Sequence, residues 1–186
     1  QQQVENTAMI EYVSNHSFLL SANLHGGSEV MNYPWDSFTS SENPHPDSDW
    51  WKEVCKRFVD TSRTYSGSHF RDVNNQGYIA GGDWYVIPNG RQDYMNYYHN
   101  CREMTMEISS EKMISSNLLP EYWRFLQHSL VNYIAEIYTI TGGGEGVDVA
   151  GDAIPSLTVY PNPTLDKVFV GEVSTEPLMV CNVQGQ

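Results

Sequence analysis

The stretch from Ser21 to Asp36, SANLHGGSEVMNYPWD, constrains the fold more than any other part of this chain. An apolar run from Phe18 to Leu24 has the length and composition of a buried strand, and it ends on His25 followed at once by Gly26 and Gly27. Paired glycines let the backbone turn away sharply. A histidine is thereby delivered to the end of a strand, where α/β sheets gather their functional groups in the crevice beyond the carboxyl ends. Asn23 within the strand and Asp36 after the Tyr33-Pro34 turn add polar groups that a plain core strand does not need. Taken alone, the strand-end histidine has two readings, a hydrogen-bonded structural residue and a ligand.

The remaining chain supplies helices to flank such a sheet. Val4, Ala8 and Tyr12 recur at helical spacing, which predicts a short amphipathic helix over residues 3–14. Residues 37–49 are loop by composition, and His45 between two prolines reads as an exposed loop histidine. Asp47 to Asp49 can cap a helix reaching Arg63, with Trp51, Val54, Cys55, Phe58 and Val59 as its apolar stripe and Cys55 as a small hydrophobe. Residues 66–100 show no clean period, and their five tyrosines from Tyr78 to Tyr98 predict a long, structured, ligand-facing loop. Residues 102–109 alternate, with Met104, Met106 and Ile108 on one face and Glu103, Thr105 and Glu107 on the other. A helix from Pro120 to about Tyr138 follows, its apolar side made of Trp123, Leu126, Leu130, Ile134 and Ile137. The fold class is therefore α/β, part of a mixed sheet flanked by helices.

Residues 141–155, TGGGEGVDVAGDAIP, form a glycine-rich acidic linker and the clearest domain boundary. Beyond it, residues 156–186 change to short alternating segments broken by prolines, the start of a truncated β-sandwich. A net charge of −13 argues against a nucleic-acid partner and against anionic membrane surfaces. No run of about 18 apolar residues is present for membrane insertion. Cys55, Cys101 and Cys181 are odd in number and widely spaced, which makes neither a metal knuckle nor an obvious disulfide framework.

Three blocks carry a resemblance: LHGG with NYPWD, then DWYVIPNGRQDYMNYYHNC, then REMTMEIS. In this order they resemble the zinc metallocarboxypeptidase family, specifically its carboxypeptidase N/E subgroup, over about Glu5 to Tyr138. The resemblance makes residues 1–140 the later half of such a catalytic domain, and makes the chain, which begins on Gln1, read as an incomplete fragment of the enzyme. It implies a Zn2+ cofactor held by a His and a Glu of an earlier HxxE motif and by His25. It also implies Glu107 as general base, Tyr85 as the mobile tyrosine that binds substrate near the scissile bond, and Asp36 with Gln92 as lining of the pocket for the substrate's last side chain. An acidic pocket pairs with Lys or Arg, so the implied substrates are peptide or protein C-termini ending in a basic residue. Separately, the YPNP block at residues 160–163 resembles the start of the C-terminal sorting domain of type IX secretion. That likeness implies the secretion machinery as a partner and a secreted or cell-surface protein exported across an outer membrane.

One departure is plain in the residues. The chain contains no HxxE, and His69 with Asp72 is the nearest approach. A single histidine does not assemble a tight zinc site, so the isolated chain is expected to bind zinc weakly and to lack peptidase activity. The rival expectation is a non-catalytic secreted peptide-binding module that keeps Tyr85, Asp36 and Gln92. Retention of both His25 and Glu107 counts against it, because binding alone needs neither.

Overall fold

A computed structural model describes residues 3–140. The expected linker at 141–155 and β-sandwich segment at 156–186 lie outside the described residues, as does Cys181. Helix α1 (Val4–Ser14) leads into strand β1 (Leu20–His25) and strand β2 (Ser28–Tyr33). Helix α2 (Ser48–Tyr65), strand β3 (Tyr78–Ala80), a single turn α3 (Gly81–Trp84) and helix α4 (Arg91–His99) follow. Strand β4 (Arg102–Ser109), helix α5 (Leu119–Ala135) and a last turn α6 (Ile137–Ile140) complete the order. The four strands make one mixed sheet in the order β1-β4-β2-β3. β1 runs parallel to β4, β4 antiparallel to β2, and β2 parallel to β3.

The crossing from β1 to β2 explains the double glycine. These strands are separated by β4, so the chain must bridge two inter-strand spacings, about 9.6 Å, in the three steps from His25 to Ser28, close to the extended limit. Gly27 takes φ +121° and donates its N–H to the Ser109 carbonyl at 2.7 Å. A Cβ on Gly26 would stand 2.9 Å from the Glu111 carbonyl oxygen. His25 is thus held at the carboxyl end of β1 by a crossing that only small residues fit.

Period-two alternation in β4 sends Met104 and Met106 to one face, where they join Met31 and Tyr33 of β2 in the main core. Helices α2 and α5 cover that face. Trp51, Val54, Cys55, Phe58 and Val59 of α2 are buried as their spacing predicts. Each such side chain contributes about 1.5–3 kcal/mol by leaving water. The helices approach closely enough for the buried Ser129 hydroxyl to donate to the Phe58 carbonyl at 2.8 Å. The opposite face carries Glu103, Thr105 and Glu107 and receives α4.

Several expectations need correction. The apolar run is not buried as expected: among the described residues β1 pairs with β4 alone, and Leu19 and Leu24 are about half exposed. The fully buried strand is β2, whose Glu29 and Asn32 are tolerated because Glu29 meets His69 and the Phe70 N–H while Asn32 accepts from Gln92. Val4 and Ala8 of α1 face solvent, and Val13 is the residue that packs, against Met95 and Cys101. Asp47 makes no capping bond at the start of α2 and pairs instead with Arg102 at 2.9 Å. On α5 Leu126 and Leu130 pack on the core as expected, but Tyr122, Phe125, Ser129 and Tyr133 complete the packed side, while Trp123 and Ile134 are exposed. The helix expected to reach Tyr138 ends at Ala135, with the short α6 after Glu136. Residues 66–100 hold β3, α3 and α4 rather than one loop. His45 is buried, its ring tilted against Trp35 with centroids 4.5 Å apart, and its Nδ1 accepts the Asp47 N–H at 3.0 Å.

Candidate active site

The parallel register sets Ser21, Asn23 and His25 of β1 opposite Glu103, Thr105 and Glu107 of β4. At the carboxyl end of this ladder His25 Nδ1 lies 3.6 Å from Glu107 Oε1. The two side chains have different surroundings: that of His25 is 55% exposed and that of Glu107 only 11%. The second carboxylate oxygen of Glu107, Oε2, is buried and has no hydrogen-bond partner. Burial raises the Glu107 carboxyl above its ordinary range, and the nearby His25 and Lys112 charges partly offset the rise. Lys112 packs its aliphatic stem along Gly27, where a Cβ would come 3.1 Å from Cγ.

A second group lies where β2 ends. Gln92, on the first turn of α4 and 1% exposed, donates Nε2 to Asp36 Oδ1 at 2.9 Å and to Asn32 Oδ1 at 3.1 Å. Its own Oε1 is buried without a partner. Asp93, the next residue, accepts from the Asp36 and Ser37 N–H groups at 2.8 and 2.9 Å and so anchors the backbone that carries Asp36. The Asp36 carboxyl is pushed up to about 7, chiefly by burial and then by the Asp93 charge. A Cβ on Gly81 would stand 1.8 Å from Asp36 Oδ1. Only glycine leaves room for that carboxylate.

Tyr85 follows α3 and is half exposed, its ring set edge-on against Trp84 at 4.6 Å. Its hydroxyl is raised by partial burial first, then by the charges of Glu107 and Asp36. The structure therefore joins His25 directly to Glu107, joins Asp36 directly to Gln92, and places Tyr85 within the electrostatic reach of both carboxylates. Asn32, Asp93 and Gly81 escaped the sequence reading. Asn32 carried a usable signal: alternation in SEVMNY sets Val30 and Asn32 on one face, and antiparallel register sets them opposite Glu107 and Thr105.

A family model described as zinc carboxypeptidase matches residues 1–129. The chain belongs to the zinc carboxypeptidase family. Among its relatives, mouse carboxypeptidase D is 31% identical over 145 residues, covering 73% of this chain and 10% of that protein. Mouse carboxypeptidase M is 30% identical over 166 residues, covering 84% of this chain and 37% of that protein. Mouse carboxypeptidase N catalytic chain is 30% identical over 145 residues, covering 72% of this chain and 32% of that protein. The chain thus spans between 10% and 37% of these relatives' length. The mixed sheet flanked by helices is consistent with this family's fold.

The family implies zinc, and the residues present fit part of a zinc carboxypeptidase centre. His25 offers an accessible imidazole at a strand end, beside a carboxylate with an unused, buried oxygen. Among the described residues no three His, Cys, Asp or Glu side chains converge as a ligand set. No helix among them is long and apolar enough to cross a membrane.

Proposed function

We propose that the full-length protein is a zinc-dependent metallocarboxypeptidase that removes a C-terminal Lys or Arg, and that this chain supplies one metal ligand, the general base and much of the specificity pocket. The observation that carries the reading is the His25–Glu107 pair: an accessible imidazole 3.6 Å from a buried carboxylate whose Oε2 has no partner. His25 would hold zinc through a ring nitrogen, and the HxxE ligands would come from a part of the protein outside these 186 residues. When bound, zinc supplies the Lewis acidity that polarises a carbonyl and acidifies water.

The Glu107 carboxylate would take a proton from the attacking water as the water oxygen bonds to the scissile carbonyl carbon. It returns the proton to the departing amine when the C–N bond breaks. Burial suits this work, because a carboxyl raised above its ordinary range is a stronger base. Tyr85, half exposed and within electrostatic reach of both carboxylates, would hydrogen-bond the peptide near the scissile bond. Asp36 meets the basic side chain of the last residue, and Gln92 orients that carboxylate by its 2.9 Å bond.

Export across an outer membrane, to a secreted or cell-surface location, belongs to the same proposal. It is supported by the YPNP block together with the glycine-rich linker before it and its position in the chain, all of which lie outside the described residues. The test is hydrolysis by the full-length protein of matched peptides ending in Arg and in Leu, with and without a zinc chelator. Chelator-sensitive release favouring Arg is expected. Equal turnover sinks the specificity, and tight capture of the Arg peptide without turnover sinks the catalysis in favour of a peptide-binding module.

A further inference from the structure

Glu103 is the most deeply buried carboxylate of the site face, with 0% exposure, and neither the proposed chemistry nor the proposed pocket uses it. Three donors converge on it. Ser21 Oγ donates to Oε2 at 2.6 Å, Asn23 Nδ2 to Oε1 at 2.8 Å, and Arg91 Nη2 to Oε2 at 3.0 Å. Burial lifts the Glu103 carboxyl, and Arg91 first among its neighbours pulls it back. Its backbone is engaged as well, since the Glu103 carbonyl accepts from Asn96 Nδ2 at 2.8 Å.

Two of these contacts end on α4, more than one helical turn apart, at Arg91 and Asn96. They matter because α4 has little apolar footing. Of its nine residues only Gln92, Met95 and Asn96 are buried, and Met95 is the sole apolar one. A short helix attached mainly by polar bonds takes its tilt and register from those bonds. Gln92 directly follows Arg91, so any slip of the first turn moves its amide away from Asp36 and Asn32.

We propose that Glu103, acting through Arg91, is a positioning residue that seats α4 on the sheet and thereby fixes the Asp36–Gln92 wall of the specificity pocket. The inference rests on the reading of Asp36 and Gln92 as that wall. A paired buried charge of this kind adds little net stability compared with apolar packing, yet breaking it by removing one partner is costly. What it supplies here is placement.

The test takes Glu103→Gln and Arg91→Met in the full-length protein. Each variant raises KM about tenfold for a peptide ending in Arg, leaves kcat within about twofold, and leaves KM for a peptide ending in Leu unmoved. The double variant is no worse than either single one, because both act through one contact. Equal changes for the two peptides, or a fall in kcat with KM constant, overturn the proposal. Should Glu103→Gln fail to fold, Arg91→Met remains, since that side chain is 39% exposed. Hydrogen exchange in the 186-residue chain gives a reading that needs no activity. Amides of 91–99 exchange faster in the variants while those of 48–65 do not, and unchanged exchange in 91–99 overturns the seating role. A wild-type protein with no preference for Arg overturns the basic-residue specificity instead, and the exchange result then decides the seating of α4 by itself.

Discussion

His25 and Glu107 are register partners across the parallel β1–β4 pair, and the 3.6 Å between Nδ1 and Oε1 follows from that pairing. Residues directly opposite in a ladder project to the same face. A histidine that ends one strand and a glutamate near the end of its neighbour therefore meet without any loop having to bring them together. The imidazole is the accessible partner and the carboxylate the buried one. Each is suited to its assigned task, contact with a metal for the first and tuned basicity for the second.

Glu107→Gln in the full-length protein should lower kcat by about 10²–10⁴-fold, the usual worth of a positioned acid–base group. KM should stay nearly constant, because the amide keeps the shape of the site. The melting temperature should not fall, since the substitution removes a buried carboxylate whose Oε2 is unpartnered. Steady-state kinetics with a thermal melt checks all three, and retained kcat would remove Glu107 from the mechanism.

Zinc should bind this chain weakly when no other segment is present. Affinity depends on a set of ligands held together, and the described residues offer His25 without two companions. Dialysis against metal-free buffer should leave well under one equivalent, and His25→Ala should remove what binding remains. Stoichiometric zinc after dialysis would mean that the chain holds a full ligand set of its own.

Asp36 should impose a pH dependence of definite sign. Its carboxyl stands at about 7 in the folded protein against an ordinary 3.8, so between these values the folded state holds a proton that the unfolded chain has released. Stability from this group is fully present below the lower value and is lost as pH rises through the upper one. Capture of a cation needs the ionised form, so KM for an Arg-ending peptide should fall as pH rises through about 7. Asp36→Asn should flatten both profiles and abolish the preference for Arg. Denaturation midpoints and KM, each measured across that range, provide the check.

Gly81→Ala should disturb the pocket before it disturbs the core. The added methyl would overlap Asp36 Oδ1 at 1.8 Å and crowd Asn32 Oδ1 at 2.7 Å. Overpacking of this kind costs about 1–3 kcal/mol, and here the carboxylate is the group that must yield. Affinity for free arginine, followed by calorimetry in the full-length protein, should drop more than affinity for an Arg-ending peptide. Unchanged affinity would mean that Asp36 does not face the ligand.

Elements whose periodicity is strong and local are legible in the residues alone. The apolar stripe of α2 and the alternation of β4 are legible because one buried face repeats at a fixed interval. His25 at a strand end was legible for a different reason: the following glycines have no other economical use than a sharp crossing. The strand β2 was not legible, since its Ser, Glu and Asn side chains look like surface residues until their partners are known. Those partners, His69 with the Phe70 N–H and Gln92, stand 40 to 60 residues away. The stripe on α5 is legible only in part: Leu126 and Leu130 pack as their spacing predicts, but Ser129 and Tyr133, buried and hydrogen-bonded to Phe58 and Ser21, lie on the packed side where Trp123 and Ile134 were expected, and no local period records those partners.

Which polar residues act together is set by the way strands and helices pack. Spacing along the chain could propose Asp36, Tyr85 and Gln92, but it could not show that Asp36 and Gln92 touch, that Gly81 makes room for them, or that Glu103 holds the helix from which Gln92 reaches. These are relations between strands and helices distant in sequence, fixed by ladder register and by the packing of α4. A linear pattern encodes the face on which a side chain lies; its partner across the sheet is set when the strands pair.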